Sequence, residues 1–540
     1  MIRLSHLRVL TLVCGLFSGT AAGQEMGAPA QPSTDTVAPG QSQDQSLADI
    51  ARKLRKNQTA EVRMSAEDAK SVFSEVDKIS NFVAADTGFP KRSAVKRQLV
   101  GQADVEKYTH EKIAKVELSQ RFVHSEMSMK KFGYLPRDFN LRDFIVKSNG
   151  QQVAGYYDDE TKTISLLNWV PLDRQRPVLA HELTHALQDQ NYNLQVWAKA
   201  GQKDSPDDKD PKSWSALDES VAARHAVIEG QAMVVYMDYL LAPLGRNLQN
   251  TPGLIYQMEE PAVKAVIDSE MLHNAPMILR EAGTFPYREG LIFEGELLAK
   301  GGRQMAFAGA FARPPRNTHE VLQPRSYIAR EELAAIAMPN VQQLLSGKYE
   351  IYDSGNVGEL DVRAFVRQFG RRTVAEDISA SWRGGVYSVF RKTSSAASAD
   401  LTTADLALLY ASRWKSPQAA QRFAEFYTGA VSQRYKKVTA QPLDPCSGPQ
   451  CPVSAAQITT EEGLILIEQW SDNMVLVSES FDKATAAKLR DALRGGSGDV
   501  HARSLPSDEL SLRLYELPAF WTFQENIGAR IRREMEKGTP

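Results

Sequence analysis

Along the N-terminal part of the chain, apolar residues recur at helical spacing; towards the C-terminus they gather into short alternating or continuous runs. Residues 47–150 are predicted to be mainly helical, with one helix opening at Ala66–Phe73 behind Ser65 as its cap. Gln152–Tyr157 and Thr163–Leu167 read as two short strands, joined through the turn residues Asp158-Asp159-Glu160-Thr161. An apolar helix follows around Val178–Leu187, with Asp173 placed as its cap and Pro177 tolerated near the first turn. A second apolar helix covers Ala222–Val235, and the polar stretch Lys203–Lys212 reads as a surface loop between the two. From about residue 356 the texture changes. Val386–Phe390, Leu406–Tyr410, Leu464–Ile467 and Met474–Val477 read as strands there, and Ser416–Tyr435 and Ala484–Leu493 as helices. The expected fold class is α+β: a mainly helical domain with a short antiparallel sheet over 47–345, then a smaller α+β domain over 356–500 and a tail over 501–540.

Composition narrows this picture. At 540 residues the chain exceeds one ordinary core, which agrees with more than one domain. Lys and Arg total 64 against 66 Asp and Glu, with no basic stripe for nucleic acid and no acidic tail. Arg3 and Arg8 flank the start of a short apolar run, Val9–Phe17, and the small residues Gly19 to Gly23 follow it. That order predicts a signal peptide over 1–23, cleaved after Ala22 or Gly23. Residues 24–46, rich in Gln, Ser, Pro, Gly and Thr, read as a disordered linker. The apolar run is shorter than the ~20 residues of a spanning helix, and Asp238 interrupts the later run Met233–Leu241. The mature protein is therefore expected to be exported, periplasmic or extracellular, without an integral membrane segment. In that compartment Cys446 and Cys451, set around a Gly-Pro turn, are expected to form a disulfide.

The chemistry concentrates in His181-Glu182-Leu183-Thr184-His185, an H-E-x-x-H sequence. Helical residues i and i+4 lie one above the other on one face, so two imidazoles there can hold one Zn²⁺. Glu182 stands one step along, placed as general base for a metal-activated water. The flanks are apolar, and charged groups in such a helix are costly unless paired or metal-bound. A catalytic zinc needs a third protein ligand, and no further histidine follows closely. Glu229, a carboxylate inside the second apolar helix, is the candidate; Ala226 and Ala222 on its face allow a neighbouring helix to approach. Asp218, Glu219 and His225 compete for the role, the first two reading better as the helix start. His225, four residues before Glu229, is a candidate supporting group or transition-state stabiliser, and Asp189, four after His185, is a candidate for orienting an imidazole. The strand pair before the motif helix is expected to offer an edge to an extended peptide.

These residues resemble the gluzincin branch of the zincin metallopeptidases, with H-E-x-x-H and a distant Glu. A closer likeness is to a group of exported bacterial proteins carrying H-E-L-T-H-A-L-Q-D-Q and a later E-G-x-A, here His181–Gln190 and Glu229-Gly230-Gln231-Ala232. Phe285-Pro286-Tyr287-Arg288-Glu289-Gly290, Gly301-Gly302 and Pro314-Pro315-Arg316 extend it over roughly residues 47–345. His319 departs from the pattern, which places an acid after Thr318. The resemblance implies one zinc held by His181, His185 and Glu229, with Glu182 as base and a peptide or protein as substrate. Tyr287 is a candidate oxyanion donor, read more readily as a packing tyrosine after a proline turn. Two rivals stand beside this: a non-catalytic zinc-binding envelope protein, for which Glu182 would be superfluous, and a metal-free scaffold with His181 and His185 in its core.

Overall fold

Helical spacing in the N-terminal part produces five long helices: α1 (Ala66–Thr87), α2 (Gln120–Phe132), α3 (Leu172–Tyr192), α4 (Leu217–Leu241) and α5 (Met277–Gln304). The structure is a computed structural model describing residues 66–101, 120–144, 155–169, 172–198, 217–256, 274–333, 341–395 and 401–495, apart from isolated positions. The signal segment 1–23, the linker 24–46, Ser65, residues 152–154, the loop 203–212 and the tail 501–540 lie outside the described residues.

The hairpin forms as β2 (Gly155–Asp158) and β3 (Thr163–Leu167), antiparallel, with Tyr157 opposite Ile164. Its turn is closed by Asp158, whose Oδ1 accepts from the N–H groups of Glu160 and Thr161 at 2.8 and 2.9 Å. A third strand, β1 (Lys96–Val100), runs parallel to β3, so the sheet is mixed, in the order β1-β3-β2. Sequence reading expected helix in that region and an antiparallel sheet. Lys96, Arg97 and Gln98 are exposed or nearly so, and only Val100 is buried, so β1 carries no apolar alternation to announce it.

α3 begins at Leu172, which puts Asp173 inside its first turn instead of at the cap, and Pro177 lies within the helix. α4 and α5 pack at backbone contact. A Cβ on Gly290 would stand 2.2 Å from the Ala226 carbonyl oxygen, and one on Gly230 would stand 2.4 Å from the Gly290 backbone. The close approach expected at Ala226 is thus made by α5. Pro286 sits inside α5, so Phe285-Pro286-Tyr287 is helix and not a turn. The helix breaks its regular path at Gly302 (φ 64°, ψ −167°), a conformation open to glycine, and continues into a π-helical turn at Met305–Gly309.

Beyond lie β4 (Tyr349–Asn356), α6 (Glu359–Phe369), α7 (Arg372–Ser379), β5 (Trp382–Lys392), β6 (Leu406–Trp414), α8 (Pro417–Arg434), β7 (Val438–Gln441), β8 (Ser454–Thr460), β9 (Gly463–Gln469), β10 (Met474–Glu479) and α9 (Lys483–Gly495). The strands make a seven-stranded antiparallel sheet, β4-β5-β6-β10-β9-β8-β7. Its first strand lies before residue 356, where sequence reading placed the change of texture. Along β6, Leu406, Leu408 and Tyr410 enter the main core while Ala407, Leu409 and Ala411 enter a second cluster on the other face. A strand covered on both faces needs apolar residues at every position, and this is the physical meaning of the continuous run Leu406–Ala411.

The helical part and the seven-stranded sheet share that main core, which runs from Val76 to Val477. Buried ion pairs cross between them: Arg363 of α6 reaches Glu281 and Glu289 of α5 at 2.8 and 2.7 Å, and Lys131 of α2 reaches Glu462 at 2.8 Å. Cys446 and Cys451 are joined by a disulfide, with Cα atoms 5.8 Å apart. No helix among the described residues is long and apolar enough to cross a membrane.

Candidate metal centre

α3 is buried almost all round: Val178, Leu179, Ala180, Leu183, Ala186 and Leu187 all lie in the core. His181 and His185, one turn apart, meet edge to face on the side turned to α4, their rings nearly perpendicular at 87° and their Nε2 atoms 3.0 Å apart. α4 supplies Glu229, whose Oε2 lies 3.2 Å from the Nε2 of His181 and 3.4 Å from that of His185. These ligand atoms all fall within 4.8 Å of one another. Donors placed about 2.0–2.1 Å from a tetrahedral zinc stand roughly 3.3 Å apart. The observed triangle has that size, and two imidazoles with one carboxylate are a donor set suited to a catalytic zinc. The side chains of His185 and Glu229 keep 12 and 16% of their exposure while that of His181 keeps 1%, so the centre opens on the His185–Glu229 side.

Electrostatics describe the same pocket. Burial pushes the His181 imidazole down to about 4. Burial acts on His185 in the same sense, but the charge and hydrogen bond of Glu229 outweigh it and raise that imidazole to about 9. Burial also resists ionisation of Glu229, yet His185 and His181 hold its carboxyl well below the usual range.

Glu182 is buried beside the triad, and burial, reinforced by the charge of Glu229, raises its carboxyl to about 7 against the opposing pull of His185. Its Oε2 accepts a 2.8 Å hydrogen bond from the main-chain N–H of Tyr157. One main-chain donor of β2, expected to be open to a peptide, is therefore spent on holding Glu182. His225, one turn before Glu229 on α4, is within electrostatic reach of the centre: burial pushes its imidazole down to about 4, and the charges of Glu229 and His185 both act on it.

Other candidates are placed elsewhere. Asp189 does not orient an imidazole; it accepts from the Tyr157 hydroxyl at 2.7 Å and the Leu194 N–H at 3.1 Å and pairs with Lys162 at 2.6 Å. Glu219 lies in the first turn of α4 and accepts from the N–H and hydroxyl of Thr318 at 3.0 and 2.7 Å. Of Asp218 only the helical backbone is described. Tyr287 is buried inside α5 as part of the main core. His319, where the resemblance leads one to expect an acid, is buried and bonded through Nδ1 to Glu359 of α6.

Three groups escaped sequence reading: Tyr157, Gln188 and Gln231. Gln188 accepts from His185 Nδ1 at 3.0 Å, and Gln231 is bonded to Gln188 at 3.0 Å. The available signal was polarity out of place. Gln231 sits in the apolar run of α4, and Gln188 follows His185 by three residues, within one turn on the same face. Compared with known proteins, the chain matches no family model, no curated protein and no solved structure.

Proposed function

We propose that this protein is an exported zinc-dependent metallopeptidase of the zincin type. The observation that carries the reading is the convergence of His181, His185 and Glu229 within 4.8 Å, with Glu182 on the same helix as the two histidines. The disulfide Cys446–Cys451 and the N-terminal pattern of residues 1–23 support export to an oxidising compartment.

Bound zinc acidifies a water and polarises a carbonyl oxygen. His181, His185 and Glu229 would hold it. Glu182, anchored through Oε2 by the Tyr157 N–H, keeps Oε1 to take the proton of the attacking water and deliver it to the leaving amine. β2, an outer strand of its sheet beside Glu182, is the element on which an extended peptide would align through its remaining main-chain groups.

The test uses the purified mature protein: elemental analysis for zinc, and cleavage of a peptide library with and without chelator. One zinc per chain and chelator-sensitive cleavage are expected. Glu182→Gln should keep its zinc and lose cleavage by about 10²- to 10⁴-fold. Undiminished cleavage in that variant would sink the assigned role. Stoichiometric zinc without any cleavage by the unaltered protein would favour a non-catalytic zinc-binding protein.

A further inference from the structure

We infer that Gln188 and Gln231 form a positioning relay that commits His185 Nδ1 to hydrogen-bond donation and leaves Nε2 as its only nitrogen able to bind a divalent cation. The inference rests on the metal-site reading above.

The direction of every bond in the relay follows from its far end. Gln231 Nε2 faces two main-chain carbonyl oxygens of the π-helical turn, Ala306 at 2.8 Å and Phe307 at 3.1 Å. Carbonyl oxygens accept only, so this end must be the amide nitrogen; the buried carboxyl of Glu294 also bears on this amide. The Gln231 oxygen is then the acceptor for Gln188 Nε2 at 3.0 Å. Gln188 Nε2 gives its second hydrogen to the Ile228 carbonyl at 3.1 Å. What Gln188 turns towards His185 is therefore a bare oxygen, 3.0 Å from Nδ1. Rotating either amide would set oxygen against oxygen at two contacts at once. Both glutamines are fully buried, so water cannot substitute for a lost partner.

The relay is neutral, and that suits its surroundings. Glu182 and Glu229 already place two carboxylates at the centre. A third buried carboxylate behind His185 would add charge without a counter-ion. A glutamine fixes the ring as firmly while adding none. The π-helical turn after Gly302 presents two successive carbonyls to the Gln231 amide.

Two measurements test this, one needing no metal. In metal-free protein, a nitrogen–proton correlation spectrum of the histidine rings should show the His185 Nδ1 proton in slow exchange with water. Exchange as fast as that of an exposed histidine would overturn the relay whether or not the protein binds zinc. In zinc titrations against a competing chelator, Gln188→Met and Gln231→Met should each weaken binding about 10- to 100-fold, the range typical of residues that orient a metal ligand. Gln188→Glu, which keeps an acceptor towards Nδ1, should retain the slowly exchanging proton that Gln188→Met loses. Gln231→Met does not touch His185, so zinc affinity within twofold of the unaltered protein in a folded Gln231→Met chain would refute the relay. If the unaltered protein binds no zinc, the metallopeptidase reading fails, and the proton-exchange measurement alone decides the relay.

Discussion

Tyr157 is tied to the motif helix at both of its ends. Its N–H holds Glu182 and its hydroxyl holds Asp189, seven residues further along α3. One residue of an outer strand thereby sets the distance between β2 and the Glu182 carboxyl. Tyr157→Phe keeps the first bond and removes the second. Asp189 retains Lys162 and the Leu194 N–H, so the loss of stability should be modest, about 1 kcal/mol in urea unfolding. Zinc content should stay at the unaltered level while kcat falls several-fold, because the strand holding Glu182 is loosened. A drop in zinc content together with kcat would show that Tyr157 supports the ligands and not the base.

At the scale of elements, the centre depends on two helices meeting at backbone contact. Gly290 of α5 lies against Ala226 and Gly230 of α4, directly beside Glu229. A methyl group at 290 would meet a carbonyl oxygen at 2.2 Å, and main chain cannot rotate away as a side chain can. Gly290→Ala must push the helices apart and carry Glu229 with α4. The expected cost is about 3 kcal/mol, the upper end of ordinary overpacking, together with weaker zinc binding. Thermal unfolding and chelator competition on the same preparation check both. A variant as stable as the parent would mean that α4 and α5 have room to shift without disturbing the ligands.

At the scale of the whole molecule, separate parts of the chain are held by buried charge as well as by apolar packing. Arg303, at the end of α5, serves two carboxylates at once: Asp86 of α1 at 2.8 Å and Asp238 of α4 at 2.9 Å. Burial and the charge of Asp238 push the Asp86 carboxyl up to about 7 from an ordinary 3.8. A raised carboxyl binds its proton more tightly in the folded chain than in the unfolded one. Its contribution is thus fully present below about pH 4 and is lost as pH rises towards about 7. Asp86→Asn keeps an acceptor for Arg303 without the titration. It should be more stable than the parent at neutral pH and above, with the gain shrinking as pH falls towards 4. Unfolding midpoints measured across that range check the sign, and a difference independent of pH would show that Asp86 does not titrate in this way.

Much was legible from residue order because it is local. The spacing of His181 and His185 is a property of any helix, and the apolar flanks required that helix to be buried. Asp158 announced its turn, Ser416 announced the start of α8, and the run Leu406–Tyr410 announced a strand. What lay beyond reach depended on partners distant in the chain. β1 is polar and finds β3 only in space, and β7, exposed along most of its length, offers no pattern at all. Asp189 stands at the right helical spacing to serve His185, yet a tyrosine from β2 and a lysine from the turn claim it. The amide that does serve His185 takes its direction from carbonyls at Ala306 and Phe307. By itself the sequence determined that His181 and His185 share one face of a helix, because helical periodicity places them. Tertiary structure decided how they are aimed and which polar groups support them, because hydrogen-bond direction is settled by whichever donors and acceptors folding brings within about 3 Å.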